Sequence, residues 1–136
     1  MAGSDNYDTI VPGGLAAVGT TLDPFLTKGD SFTGRIIGKK GKVPKTLFNI
    51  TMDSHLLNRV VGFDEELKVE PLKINETIML TVGTANTVGI ITSIKDERVG
   101  VSLKYPVAGN VNDRIAIGRR VSNRWRLIGY GSILEI

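Results

Sequence analysis

The sequence predicts an all-β protein, and three observations support that class. Apolar residues alternate with polar ones along several runs, as they do in strands that bury one face. Such runs recur at intervals of about ten residues from Thr46 onward, with Gly, Asn, Asp and Pro between them. No segment has the periodicity of a convincing amphipathic helix, and the 16 glycines suit the tight corners of a small barrel. These features favour an antiparallel sandwich or barrel.

Four of the runs alternate regularly enough to predict which side chains face the core. Two further runs, "NTVGIITSI" and "WRLIGYGSILEI", are apolar on both faces, which suits covered or bent strands. The connections "VGTAN", "IKDER", "YPVAGNVND" and "RRVSN" contain the residues of hairpin turns and longer loops. The alternating sets are Phe48, Ile50, Met52 and Leu56 in "TLFNITMDSHL", Ile78, Leu80 and Val82 in "ETIMLTV", Val99, Val101 and Leu103 in "RVGVSLK", and Ile115 and Ile117 in "DRIAIGR".

The first 38 residues differ in character from the rest. "PGGLAAVGTTLDP" is rich in Gly and Pro, and "SFTGRIIG" predicts a strand that ends at Gly38. Because so little strand buries little surface, we expect residues 1–38 to be the end of another domain whose beginning is missing. Residues 39–136 then form a second domain, and "KKGKVP" links the two. Residues 1–11 lack an apolar set, so we expect them to be mobile or ordered only by a neighbour.

The stretch "GRIIGKKGK", residues 34–42, has two functional interpretations that the sequence itself argues against. A phosphate-binding loop needs four residues between its glycines and a Ser or Thr after the Lys, and neither condition is met. A KH domain places a GXXG loop before a helix. Here Pro44 and strand-like alternation follow, so the glycines are better explained as corner and hinge positions. The basic residues remain candidates for non-specific attraction to RNA: Lys39, Lys40 and Lys42.

Residue types that carry most catalysis and metal binding are scarce. The absence of cysteine removes disulfides, thiolate zinc sites and cysteine nucleophiles, and it suits a reducing cytosol. The single histidine, His55, is expected to pack or cap, and the acidic run Asp64–Glu66 is expected to be a solvated loop. No 18-residue apolar run is present, and we do not expect the N-terminal residues to be a signal peptide. We therefore expect no catalytic, cofactor-binding or metal-binding residue and no membrane partner.

Basic residues are distributed unevenly along the chain. Residues 1–38 carry four acidic and two basic side chains, whereas residues 39–136 carry 15 basic and 10 acidic ones. Near the C-terminal end, alternation predicts that three arginines line one solvent-facing edge of a hairpin, with Trp125 packed behind. Arginine forks suit phosphate oxygens, but they also pair with carboxylates such as Asp113, Glu135 or loop acids. The candidate contacts are Arg119, Arg120, Arg124 and Arg126, which have no acid between them.

Four blocks of the sequence together resemble a known family. They are "PGGLAAVGTTLDPFLTKGD" (12–30), "HLLNRVVG" (55–62), "ELKVEPLKINE" (66–76) and "NRWRLIGYG" (123–131). In order and spacing these blocks resemble the C-terminal part of the gamma subunit of archaeal and eukaryotic translation initiation factor 2. The resemblance covers the chain from about Pro12 to its end, and the short loop from Phe63 to Leu67 resembles archaeal forms.

The resemblance implies a fold. That family is similar in architecture to elongation factor Tu, with a GTPase domain followed by two β-barrels. Residues 12–38 would be the tail of the second domain, and residues 39–136 an antiparallel β-barrel of the translation-factor third-domain type. The family's nucleotide motifs lie upstream, so GTP and magnesium would belong to the missing domain and this chain would have no cofactor. The residues at Lys39 and Lys40 vary in the family, so they are not a family motif.

The resemblance also implies partners. The complete subunit joins alpha and beta subunits in a cytoplasmic heterotrimer that carries methionylated initiator tRNA to the small ribosomal subunit. Expected partners are the GTPase domain and second barrel of the same subunit, the alpha and beta subunits, initiator tRNA and small-subunit ribosomal RNA. We expect a non-catalytic barrel that offers a basic edge to RNA. The alternative is a purely protein-docking module whose arginines pair with another domain or subunit.

Overall fold

The computed structural model describes residues 5–62 and 68–136. The chain divides into two compact units, Met1–Phe32 and Thr33–Ile136. The domain boundary after residue 38 stays a prediction. The acidic run Asp64–Glu66 and the short loop from Phe63 to Leu67 lie outside the described residues. Within the described ranges, no helix has the length and apolar character needed to cross a membrane.

The first unit contains a short 3₁₀ segment, Pro24–Asp30. It begins where the Asp23 carboxylate accepts the backbone N–H of Phe25 at 3.0 Å, and a proline occupies the first turn. The helical geometry is interrupted at Lys28 and Gly29. The sequence analysis missed this segment, although Asp followed by Pro is a helix-start signal. All side chains described in this unit are exposed.

The second unit contains seven described strands, and each of the six runs discussed above lies on one or more of them. The predicted all-β class is therefore confirmed. The strands are β1 (Lys45–Asp53), β2 (His55–Leu56), β3 (Thr77–Val82), β4 (Ala85–Lys95), β5 (Arg98–Gly109), β6 (Arg114–Val121) and β7 (Arg124–Glu135).

Six of these strands form a closed antiparallel barrel. Their order is β1-β5-β4-β3-β6-β7, and β1 pairs with β7 to close the ring, while β2 adds to β7. The closing seam between β1 and β7 is short, with Thr51 opposite Glu135 and Met52 opposite Ile133. Of the two predicted architectures, the structure adopts the barrel.

The barrel core consists of the inward side chains of all six strands. Most of the predicted alternating positions are confirmed as buried, and Leu56 packs at the margin of the core. Within residues 5–62 and 68–136 the buried polar side chain is Thr87, whose hydroxyl donates to the Tyr105 carbonyl at 2.6 Å. The fully buried large side chains are Leu47, Met52, Ile78, Leu80, Ile91, Ile115, Ile117, Ile128, Ile133, Val99 and Val101.

Phe48 does not face the core, and its predicted burial is wrong. The side chain is 61% exposed, whereas its neighbour Leu47 is fully buried. The register between β1 and β5 shifts between Leu47 and Asn49, so an irregularity separates the inward positions Leu47 and Ile50. Because side chains in a strand alternate, such an irregularity changes which of the neighbouring side chains face the core.

The predicted strand "SFTGRIIG" is also wrong. Residues 33–38 have no strand pairing in the described structure, and Ile36 and Ile37 are exposed. A strand needs a neighbour for its backbone groups, and no described strand pairs with this segment. The linker after it forms a turn in which the Lys42 N–H donates to the Lys39 carbonyl at 2.9 Å. Strand β1 then starts at Lys45, which contradicts a KH helix at this place.

Two glycines of β7 allow another part of the chain to cross it closely. The segment that joins β1 to β2 passes over Gly129 and Gly131. A Cβ atom added at Gly131 would lie 1.9 Å from the carbonyl oxygen of Asp53, and one at Gly129 would lie 2.6 Å from that of His55. The Asp53 carboxylate also accepts the N–H of Ser132. The two glycines therefore fix where the β1–β2 corner rests.

The hairpin from β6 to β7 turns through two residues with positive φ. Ser122 has φ 50° and Asn123 has φ 64°. Left-handed conformation at both central residues is the geometry of a type I′ turn, which matches the twist of the flanking strands. Asn tolerates this conformation better than Ser does.

Ser122→Asn should therefore raise the free energy of unfolding by about 0.5 kcal/mol, because it relieves backbone strain without loosening the unfolded chain. Ser122→Val should lower it by about 1 kcal/mol, because a β-branched residue is disfavoured at positive φ. Urea denaturation of both variants checks the pair. Equal effects of the two substitutions would contradict the assigned turn.

Candidate functional site

The β6–β7 hairpin carries all four candidate arginines. Its register places Arg119 opposite Arg126 and Arg120 opposite Trp125. The register shifts between Ile117 and Gly118, where β7 contains the extra residue Ile128. This bulge decides which face each arginine occupies.

Three of the arginines share one face of the hairpin. Side chains alternate along each strand, so Arg119, Arg124 and Arg126 lie on the same side as Val121, which packs at the margin of the core. Arg120 lies on the opposite, outer face together with Trp125. The predicted packing of Trp125 behind the arginines is wrong, since the side chain is 37% exposed on the outside of the barrel. The bulge at Ile128 is the cause, because it turns the side chains that precede it in β7 to the other face.

Arg119 is held inside the chain by a set of hydrogen bonds. Its Nε donates to Glu76 Oε1 at 2.5 Å, and Nη2 donates to Oε2 of the same carboxylate at 3.2 Å. The guanidinium also donates to the carbonyls of Glu70 at 2.9 Å and Pro71 at 3.3 Å. The two side chains are only 17% and 19% exposed. Arg119 therefore stabilises the loop that precedes β3, and its side chain is largely buried.

Arg126 is half-buried and lies over Gly62. Its Nη1 atom is 2.6 Å from the position that a Cβ atom of Gly62 would occupy, and Gly62 has φ 88°. The backbone N–H of Val61 donates to the carbonyl of Leu127, which keeps this segment alongside β7. The Arg126 guanidinium thus covers a backbone turn at the barrel end.

Arg120 and Arg124 are exposed. Neither forms an ion pair with an acid among the described residues. Arg124 opens β7 directly after the turn, and Arg120 stands beside the indole of Trp125 on the outer face. These two side chains are available to bind phosphate, and they lie on different faces of the same hairpin tip.

The linker lysines are exposed but lie elsewhere. Lys39, Lys40 and Lys42 occupy the turn that leads into β1. Lys45 is paired with Gly109 at the end of β5, next to the loop that starts β6. The arginines are at the other end of β6. The barrel therefore carries two separate basic regions, one at each end, and not a single surface.

His55 contacts two side chains that the sequence did not identify as its partners. Its Nε2 is 3.3 Å from Asp53 Oδ2, and its ring centroid is 5.3 Å from that of Tyr130. These contacts agree with the expected packing role. Among residues 5–62 and 68–136, no group of three or more His, Asp or Glu side chains is placed to hold a metal ion.

An apolar row on the outside of the barrel was missed by sequence reasoning. Register aligns Leu127, Gly118, Met79 and Val88 across β7, β6, β3 and β4. Leu127 is 42% exposed, and Ile90 on β4 is also exposed. The outward positions of "ETIMLTV" and "NTVGIITSI" supplied the signal, but the pairing of the strands was needed to join them into one row.

Comparison with known proteins places the chain in a defined context. The profile described as "Initiation factor eIF2 gamma, C terminal" matches residues 48–133. The chain is 64% identical over 136 residues to a protein of Thermoplasma acidophilum named translation initiation factor 2 subunit gamma, which covers 100% of this chain and 33% of that protein. It is 64% identical over 133 residues to the protein of the same name from Thermoplasma volcanium, with 98% of this chain and 32% of that protein covered.

A more distant relative gives the same result. The chain is 53% identical over 133 residues to the protein of that name from Methanococcus vannielii, with 98% of this chain and 32% of that protein covered. The chain thus spans about a third of the length of the curated relatives it matches.

Proposed function

We propose an RNA-facing role for this chain, because it belongs to the family of C-terminal domains of the gamma subunit of translation initiation factor 2. The domain that it matches is a non-catalytic β-barrel, so the predicted family and the prediction that the chain itself is not an enzyme are confirmed. In our proposal the whole protein is a cytoplasmic GTPase that delivers initiator methionyl-tRNA to the small ribosomal subunit. GTP and magnesium belong to its other domains, and alpha and beta subunits complete the factor.

The observation that supports this proposal is the exposed pair of guanidinium groups at the tip of the β6–β7 hairpin. Arg120 and Arg124 are exposed and unpaired with the described acids, whereas Arg119 is held by Glu76. A guanidinium with free donors binds phosphate oxygens in a bidentate fashion. We assign Arg120 and Arg124 to contacts with the backbone of tRNA or ribosomal RNA, which would be independent of base sequence.

Charge reversal at this tip tests the proposal. Arg120→Glu combined with Arg124→Glu should weaken binding of the chain to a structured RNA such as initiator tRNA. The slope of the logarithm of the binding constant against the logarithm of salt concentration should fall by about 1 to 2, since two phosphate contacts are lost. Fluorescence anisotropy at several salt concentrations measures both quantities.

Arg114→Glu is the matched control, because Arg114 is an exposed arginine at the opposite end of the same strand. This substitution changes the net charge by as much as each of the two tip substitutions does, and it leaves the tip intact. If the control weakens binding as much per charge as the tip variant does, the hairpin tip is not the contact and only net charge matters.

The alternative is a docking surface for another domain of the same protein, and the apolar row on the outer face favours it. Leu127, Met79 and Val88 form a row that is apolar across four strands, next to the exposed Trp125. Exposed apolar surface of this kind is often covered by a partner. If this row docks, Leu127→Glu should lower the melting temperature of the whole protein but not that of this chain alone.

A further inference from the structure

A second feature of the barrel exposes two aromatic rings at an irregularity shared by neighbouring strands. Leu47 pairs with Val107 and Asn49 with Ser102, so β5 advances five residues while β1 advances two. Leu103 in this interval is buried, whereas Phe48 and Asn49 on β1 and the three consecutive residues 104–106 on β5 are exposed. We call them the aromatic bulge, which comprises Phe48, Asn49, Lys104, Tyr105 and Pro106.

The aromatic bulge is held in place from inside the barrel. The buried hydroxyl of Thr87 donates to the carbonyl of Tyr105 at 2.6 Å, so that carbonyl faces the core. Pro106 has no N–H to pair with a neighbouring strand and suits such an interruption. Leu47 and Val107 are buried at its border. The Phe48 and Tyr105 rings, 61% and 58% exposed, therefore project from a fixed backbone.

The surroundings of the aromatic bulge are basic. No acidic residue occurs from Ser31 to Met52, and none occurs in β4 or β5. The nearest acid beyond β5 is Asp113, whose Oδ2 accepts the N–H of Asn110 at 2.8 Å. The lysines that lead into β1 form no ion pair with described acids; they are Lys39, Lys40, Lys42 and Lys45.

A further cation lies over the face of one of the rings. The Nζ atom of Lys104 is 5.6 Å from the ring centroid of Tyr105. An ammonium group at that distance is attracted to the ring face and stays next to it. The aromatic bulge thus combines two exposed rings with a positive charge over one face of Tyr105.

We propose that the aromatic bulge, with the lysines that lead into β1, binds single-stranded nucleic acid. Unpaired bases stack on Phe48 and Tyr105, and the lysines hold the phosphates. Stacking on aromatic side chains within a basic groove is the general mode of single-strand binding. This inference goes beyond the proposed function, because the aromatic bulge and the arginine tip lie on different strands and the lysines lie at the other barrel end.

Charge favours a nucleic acid over a protein partner at the aromatic bulge. The apolar row on β7, β6, β3 and β4 is aliphatic and continuous, as a protein-docking surface would be. The aromatic bulge instead offers two rings on strands rich in lysine, with no acid from Ser31 to Met52 and none in β5. Rings and lysines match the bases and phosphates of a single strand.

Three labelled probes test the inference by fluorescence anisotropy: a 12-nucleotide oligouridine, an abasic phosphate backbone of equal length and a 12-base-pair RNA duplex. The unmodified chain should bind oligouridine about tenfold more tightly than the abasic backbone. Phe48→Leu and Tyr105→Leu should each weaken oligouridine binding about tenfold and leave abasic binding unchanged. Phe48→Tyr should retain binding, because the ring is kept.

Tyr130→Leu is the control, since Tyr130 is an exposed aromatic residue outside the aromatic bulge. It should leave all three affinities unchanged. Equal binding of oligouridine and the abasic backbone would overturn the inference. Normal binding of oligouridine by the two Leu variants would also overturn it, and that result is expected if the aromatic bulge docks a protein. The Arg120→Glu, Arg124→Glu variant should still bind oligouridine more tightly than the abasic backbone. The test of the arginine tip and the test of the aromatic bulge can therefore fail independently.

Discussion

Gly131→Ala is expected to lower the free energy of unfolding by about 3 kcal/mol, at the upper end of the cost of overpacking. The new methyl group would lie 1.9 Å from the carbonyl oxygen of Asp53, which belongs to the backbone and cannot move aside as a side-chain end can. Displacing that backbone also strains the bond from the Ser132 N–H to the Asp53 carboxylate. Urea denaturation monitored by circular dichroism measures the loss.

Gly118→Ala is the matched control, in the partner strand of the same hairpin. A Cβ atom there would meet its nearest neighbour, the Cε of Met79, at 3.4 Å, which is ordinary van der Waals contact. The control should change the free energy of unfolding by less than about 1 kcal/mol, because Gly and Ala in the middle of a strand differ by no more than that. Equal losses for the two variants would show that the close crossing at Asp53 is not what makes Gly131 necessary.

Arg119→Ala should lower the free energy of unfolding by about 3 kcal/mol, because it leaves the Glu76 carboxylate without its cation in a largely buried position. The carbonyls of Glu70 and Pro71 lose their donor at the same time. Arg119→Lys should recover only part of the loss, since one ammonium group cannot reproduce the planar fork that reaches the carboxylate and both carbonyls. Denaturation gives the stability, and amide exchange at Lys73 reports whether the loop has loosened.

Lys73→Ala is the matched control for this ion pair. Lys73 and Glu70 are 4.0 Å apart and 76% and 77% exposed, so their pairing is screened by water and should contribute almost nothing. Glu76→Gln together with Arg119→Ala completes a double-mutant cycle. A coupling energy near zero between those two positions would show that the short contact does not stabilise the fold.

Strand identity was predictable from the sequence because alternation reflects burial of one face. Val99 and Val101 on β5, for example, are buried as their spacing predicts. Two bulges mark where the same reasoning failed, at Phe48 in β1 and at Ile128 in β7. Each is a shift of register that reverses the side-chain alternation, and the apolar pattern of the sequence is the same with or without such a shift.

The candidate site was predictable in composition but not in arrangement. The cluster of arginines is visible in the chain, yet the partner of Arg119 is Glu76, 43 residues away. Only the pairing of β3 with β6 brings those residues together. The same holds for Phe48 and Tyr105, which the sequence separates and which lie at the same irregularity between β1 and β5. Contacts between distant residues depend on the register of the paired strands, and that register cannot be read from a single sequence.

The short seam between β1 and β7 has a consequence for synthesis. The ring joins its first and last strands, so β1 has no partner on that side until residues 124–135 have been made. During translation the earlier strands emerge with an open edge that can pair with another nascent chain. Closure requires contact between residues more than 80 positions apart, and such non-local pairing is slow. Closure of the barrel therefore has to wait until β7 has been translated.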